Sequence, residues 1–224
     1  MAYEKMNNFI ITTGRKTNEN CIKKSRILAE QYNVPFVVRT NKSLAQIKQE
    51  QNCPTALLIK KSKICIHTPD GEIFFHPSMA QLRIKKLLKN KTDNMINAMG
   101  LKNGMTVLDC TLGLAADALV SAFVSKCEVI GLEANQLLAL AIKEGLQSFA
   151  SDVPFLTEAA HNIKVINANY KNYLRELPDK SIDIVYFDPM FRYSLTASAS
   201  MQPLRCIADT SAVTMESIQQ ACRV

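Results

Sequence analysis

The sequence predicts an α/β protein in which a parallel sheet, covered by helices on both faces, follows a small α/β lobe. Three observations carry this prediction. From Met105 onward, strongly apolar strand segments alternate with helical segments, the pattern of parallel strands joined by crossover helices. Each of those strands ends on or beside a polar residue, in turn Asp109, Glu133, Asn169 and Asp188. Residues 1–90 follow a different pattern, with short strands around a tight turn, and read as a separate lobe from residues 91–224.

Taken in order, "NFIITTGR" reads as a strand, "ENCIKKSRILAEQY" as an amphipathic helix and "PFVVRT" as a second strand. Ser43 opens "SLAQIKQEQ" as a helix N-cap. "TALLIKK", "KICIHT" and "EIFFH" are three short strands, the last two separated by the Pro69-Asp70-Gly71 turn, where glycine accepts a positive φ. "SMAQLRIKKLLKN" spaces Met79, Leu82, Leu87 and Leu88 as a helix would, and "TDNMINAMGL" continues as another helix. The second lobe then runs "MTVLDCT" (strand), "AADALVSAFVSK" (helix), "EVIGLEA" (strand), "QLLALAIKEGLQSFA" (helix), "IKVINANY" (strand), a helical turn near "KNYLREL", and "SIDIVYFDP" (strand). Repeats and low-complexity segments are absent.

The chain of 224 residues is 47% hydrophobic and 21% charged, a globular composition. No apolar run reaches the roughly 18 residues that span a bilayer, and the first residues lack a signal-peptide core, so a cytoplasmic location is expected. The seven cysteines are scattered without a C-x-x-C pair, and the three histidines do not cluster, so neither a disulfide framework nor a metal site is expected. The balance of +7 favours a polyanionic partner, because lysine and arginine neutralise phosphates and release counterions. Arg83, Lys85, Lys86, Lys89 and Lys91 lie in one acid-free stretch, readable as a solvated helix face or as an RNA-contacting surface.

In open parallel sheets, ligands bind outside the carboxyl ends of the strands. The turn after Asp109 is "DCTLGLAAD", in which Gly113 lets backbone approach a ligand while amide groups point at it. Glu133 follows Asp109 by 24 residues and is suited to gripping two ribose hydroxyls through its two oxygens. A nicotinamide dinucleotide and S-adenosylmethionine both fit this layout. The fingerprint G-x-G-x-x-G is absent, and Asp109 or Asp117 would repel a pyrophosphate while attracting a sulfonium and an α-amino group. S-adenosylmethionine is the expected cofactor.

"VLDCTLGLAADAL", "GLEANQLLALAIKEGL", "VINANY" and "VYFDPMF" resemble, in order and spacing, class I S-adenosylmethionine-dependent methyltransferases with their Rossmann-like sheet. The likeness is strongest to the bacterial small-subunit ribosomal RNA guanine-N2 methyltransferases and covers about Phe75 to Phe191. It implies that Asp109, Gly113, Ala116 and Asp117 form the cofactor loop, with Ala116 standing where the family has arginine. It also implies that Glu133 holds the ribose, with Ala134 beside the adenine, and that Asn169 and Tyr170 follow the third strand where the adenine edge is read. Asp188 would face both methyl donor and target. Arg192-Tyr193 replaces the family's Pro-His, which also points to a sister group in Gram-positive bacteria.

For chemistry on an exocyclic amine, Asp188 and the Pro189 carbonyl are the expected acceptors, and Phe191, with Tyr193, the stacking platform for the base. Rival readings are a same-fold methyltransferase acting on a protein or small molecule, and a non-catalytic RNA-binding protein. A complete fold of this class has seven strands, and "SAVTMESIQQACRV" reads as the helix before the fifth, so the expectation is a truncated chain, or a missing edge supplied by a partner in a homodimer.

Overall fold

The computed structural model describes residues 9–189, 202–209 and 211–224. The N-terminal lobe is a four-stranded sheet of β1 (Phe9–Thr13), β2 (Thr55–Ile59), β3 (Ile64–Thr68) and β4 (Gly71–Ile73), in that spatial order. β1 and β2 are parallel, whereas β2–β3 and β3–β4 are antiparallel. Helix α1 (Glu19–Tyr32) is capped by Asn18, and α2 (Leu44–Glu50) by Ser43 in a reciprocal capping box with Gln46. Gly71 takes φ 141° in the turn into β4.

"PFVVRT" does not become a strand. Phe36 makes only an isolated bridge to Ile11, and the Thr12 hydroxyl donates to the Val37 carbonyl at 2.7 Å, closing a group that a ladder would use. Val38 turns half out into solvent.

Helices α3 (Ser78–Leu87) and α4 (Asn94–Met99) connect the lobes. The sequence spacing predicts Met79 and Leu82 on the inner face of α3; instead both are exposed, and Ala80 and Ile84 are the fully buried pair. The rotation turns Arg83 inward, toward Asp93 at the start of α4.

The second sheet is formed by β5 (Val107–Asp109), β6 (Val129–Glu133), β7 (Ile163–Asn167) and β8 (Ile184–Tyr186), ordered β7-β6-β5-β8 with every pair parallel. The crossovers contain α5 (Ala116–Ser125), α6 (Gln136–Gln147), α7 (Pro154–His161) and α8 (Tyr170–Glu176). The reversal of strand order lies at β5, between its neighbours β6 and β8, which is where such sheets hold ligands. α7 and a short α9 (Gln202–Arg205) are additions to the expected elements, whereas α10 (Met215–Arg223) fills the helical pattern of "SAVTMESIQQACRV".

One apolar cluster runs from Ile11 and Leu57 through Phe75 to Leu140 and Val165. Its passage between the sheets depends on Gly145 of α6, where an added Cβ would sit 2.5 Å from the Phe75 Cβ. Among the described residues, no helix is long and apolar enough to cross a membrane.

Candidate active site

The site begins where β5 stops. Asp109 is 3% exposed, and its carboxylate accepts from the Thr111 amide at 3.0 Å, which bends the chain into the following turn. Burial pushes this carboxyl up to about 7, with Asp117, Asp188 and Glu133 adding to the rise against the Thr111 amide. Gly113 sits at φ 51°, a left-handed conformation that costs glycine nothing. The turn lies on β6 because Gly131 there has no side chain: a Cβ would fall 2.5 Å from the Leu112 Cδ1.

Glu133 ends β6 and points back at that turn. One oxygen accepts from the Asn135 amide at 2.8 Å and the other from the Gly113 amide at 3.2 Å. Burial raises its pKa to about 7, partly offset by these amides. The carboxylate is therefore fixed in orientation, and each oxygen keeps a second lone pair for a hydroxyl. Asn135 caps α6 through Leu138 and donates to the Ile207 carbonyl at 2.8 Å. Asn167, at the end of β7, donates to the carbonyls of Glu133 and Ala134 at 2.9 and 3.1 Å, binding two strand ends together.

The exit of β8 completes the group. The Asp188 amide donates to the Thr111 hydroxyl at 2.7 Å. Its carboxyl is raised above the ordinary range, first by burial and then by Asp117. Just before it, the Tyr186 hydroxyl donates to Asp117 at 3.1 Å.

These groups enclose a cleft. Of the residues expected from sequence, Gly113, Glu133, Ala134, Tyr170, Asp188 and Pro189 line it. Asp109 is buried and does not line it. Ala116 and Asp117 form the first turn of α5, off the cleft wall, where Asp117 receives Arg83 and Tyr186. Asn169 serves as the N-cap of α8, its Oδ1 accepting from the Lys171 amide at 2.9 Å. Phe191 and Tyr193 lie outside the described residues.

The structure corrects the reading of Arg83 as a free RNA contact. Its guanidinium is forked onto Asp93 at 2.7 and 2.8 Å and also meets Asp117. These partners raise its pKa, Asp93 most, and leave it joining α3 to the cleft's outer acid. Lys85, Lys86, Lys89 and Lys91 remain exposed.

Sequence reasoning missed the fourth wall. Leu204 of α9, and Ala208, Asp209 and Ser211 from the chain after it, face the cleft, tethered by Asn135 to Ile207. No local pattern in "PLRCIADTS" signals this, since the contact joins positions 72 residues apart.

Ala134, Leu138, Leu204 and Ala208 give the cleft apolar walls, and Glu133 gives it a preset acceptor for a diol. This donor set fits an adenosyl group: flat apolar surfaces for a purine and a fixed carboxylate for ribose hydroxyls.

Comparison with known proteins agrees. The family described as "Putative SAM-dependent methyltransferase" matches residues 40–209. The uncharacterized protein YpiP of Bacillus subtilis is 33% identical over 218 residues, covering 96% of this chain and 84% of its own length. Ribosomal RNA small subunit methyltransferase J of Buchnera aphidicola is 29% identical, over 67% of this chain and 63% of its own length. The chain thus spans less than two thirds of that relative. Among solved structures, the SAM-dependent methyltransferase NGO1261 of Neisseria gonorrhoeae shares the fold, with a TM-score of 0.57 at 18% identity over 81% of this chain and 70% of that one.

Proposed function

The chain belongs to the family of SAM-dependent methyltransferases, with S-adenosylmethionine as its cofactor, and from this premise we propose that it methylates an exocyclic base amine of RNA, guanine N2 of small-subunit ribosomal RNA. The observation that carries this reading is the placement of Asp188 and Pro189 in the wall of the cofactor cleft, at the exit of β8. The name of the Buchnera relative, a small-subunit ribosomal RNA methyltransferase, and the balance of +7 support an RNA substrate.

The bound cofactor supplies a methyl group already activated on a sulfonium. The protein has to bind, orient and exclude water. Glu133, held by the Gly113 and Asn135 amides, would take the ribose hydroxyls, and Ala134, Leu138 and Leu204, which line the cleft, would pack against the adenine. Asp188 accepts one N–H of the target amine, with the Pro189 carbonyl as a second acceptor, so that the nitrogen lone pair turns out of the ring and toward the methyl carbon. An amine that accepts the methyl group would have a proton to shed. Asp188, whose proton affinity is raised by burial and by Asp117, is placed to take it and pass it to solvent. Phe191 stacks on the base in this reading.

The test is incubation of the purified chain with methyl-labelled cofactor and either small-subunit ribosomal RNA or total cell protein. Label in RNA that digests to N2-methylguanosine is expected. Label found only in protein or small molecules would sink the RNA reading, and label on another base atom would sink the guanine N2 assignment alone.

A further inference from the structure

The N-terminal sheet has its own strand-end cluster, and its charge is opposite to that of the cleft. Immediately after β1 come Gly14, Arg15 and Lys16; immediately after the parallel β2 come Lys60, Lys61 and Ser62. Arg39 joins them from the segment beside β1, and together they line an open cleft of about 590 Å³. The cleft's acid, Glu72, is already committed, its two oxygens accepting from Lys60 at 2.8 and 2.9 Å. Its histidine, His67, has a lowered pKa, by burial first and then by Lys48, and adds no negative charge. Among the described residues, Arg15, Lys16, Arg39 and Lys61 have no ion-pair partner.

Arg39 is the telling member. Its Nε–H is buried and finds no hydrogen-bond acceptor among the described residues, an unfavourable state for a charged donor. Burial lowers its pKa, and the neighbouring charge of Arg15 lowers it further. Two guanidinium groups set close together in an open cleft repel each other, a cost that an anion bound between them would offset. A planar guanidinium fork matches phosphate oxygens in pairs.

We propose that this cleft is a backbone site for RNA, in which Arg39 and Arg15 clamp one phosphodiester and Lys16 and Lys61 reach the neighbouring phosphates. This rests on the reading of RNA as substrate and adds where its backbone is held. The contacts address phosphate and carry no base preference, so they position the strand while the Asp188 cleft selects the base. The N-terminal lobe is then a substrate-holding surface attached to the catalytic sheet.

The experiment titrates a transcript of small-subunit ribosomal RNA into the full chain and into Arg15→Gln, Arg39→Gln and the double variant, across a salt series. Cofactor binding is followed in parallel by calorimetry. For each phosphate that a variant no longer neutralises, the slope of log affinity against log salt should become shallower by about 0.7–0.9. The double variant should bind RNA roughly 10–100-fold more weakly at low salt, raise KM for RNA with kcat nearly unchanged, and keep the wild-type cofactor affinity. Arg15 is exposed, so Arg15→Gln keeps the fold and supplies the test even if Arg39→Gln does not. Unchanged RNA affinity and slope in variants of a wild type that does methylate RNA would overturn the phosphate site alone. A wild type that neither binds nor methylates RNA would overturn the substrate reading and the site with it.

Discussion

The two sheets of this molecule solve opposite electrostatic problems at the same architectural place. Both gather charged residues at the carboxyl ends of parallel strands. In the second sheet these are carboxylates, and Asp109 and Glu133 are almost wholly buried. Backbone amides of Thr111, Gly113 and Asn135 hold them instead of cations. In the first sheet they are Arg15, Lys16, Lys60 and Lys61, and of these Lys60 is paired, with Glu72. A buried acidic floor suits a ligand that brings hydroxyls and positive charge. A wet basic rim suits a long polyanion, whose attraction is long-ranged and sensitive to salt. The difference teaches that the same strand-end position can present opposite charge, buried and held by amides in one sheet and exposed in the other.

The sharpest way to break this contrast is at Asp188. Asp188→Ala should lower kcat by about 10²–10⁴-fold while calorimetry shows the cofactor bound about as tightly as in wild type. A variant with full turnover would move the acceptor role elsewhere. Next in size is Arg83, the cation of the basic stretch that crosses over to the acidic side. Arg83→Met leaves Asp93 and Asp117 without their partner and should cost about 2–3 kcal/mol in a urea unfolding titration, below the range for a fully buried pair because the site is partly exposed. If stability held and RNA affinity fell instead, Arg83 would belong with the exposed lysines of its stretch as an RNA contact after all.

The fate of Arg83 also marks what the sequence could disclose. Strand ends were legible, because an apolar run stopping at an acid needs only neighbouring residues to be read. Helix caps were legible for the same reason: Ser43, with Gln46 three residues on, forms the capping box it spells out. Arg83 was not, since its partners lie 10 and 34 residues away, and only the rotation of α3 brings them together. The wall of Leu204, Ala208 and Asp209 was hidden likewise, as were the stray Nε of Arg39 and the collapse of "PFVVRT" into a single bridge. Each is decided by tertiary packing that overrides a local pattern.

A third test separates the two sheets by pH. Asp109 and Glu133 have folded pKa values of about 7, above the ordinary carboxylate range because of burial. Between the unfolded and folded pKa values the folded chain holds more protons than the unfolded one, so stability is greatest at the acid end and falls as pH rises toward 7. Each group contributes a slope of at most about 1.4 kcal/mol per pH unit in that window. Thermal melts of the chain without cofactor should therefore rise from pH 8 to pH 5, and Asp109→Asn should flatten about half of that trend. A trend that survived Asp109→Asn and Glu133→Gln together would place its source in other groups, Asp188 first among them. Changes confined to the basic rim, such as Arg15→Gln, should leave the slope in place.

The smallest effect compares one helix end from each lobe. α1 closes on Asn33 at φ 51° and α5 closes on Lys126 at φ 54°, both left-handed. Asparagine tolerates that conformation through local hydrogen bonding, whereas lysine has no such compensation and its Cβ crowds the following carbonyl. Lys126 is exposed, so replacing it opens no cavity. Lys126→Gly should stabilise the chain by roughly 0.5–1 kcal/mol, and Asn33→Gly by no more than a few tenths of that scale. Both are measurable as shifts in urea midpoint at constant slope. Equal shifts would mean that the two helix ends carry the same strain, and that the asparagine at the end of α1 confers no advantage over the lysine at the end of α5.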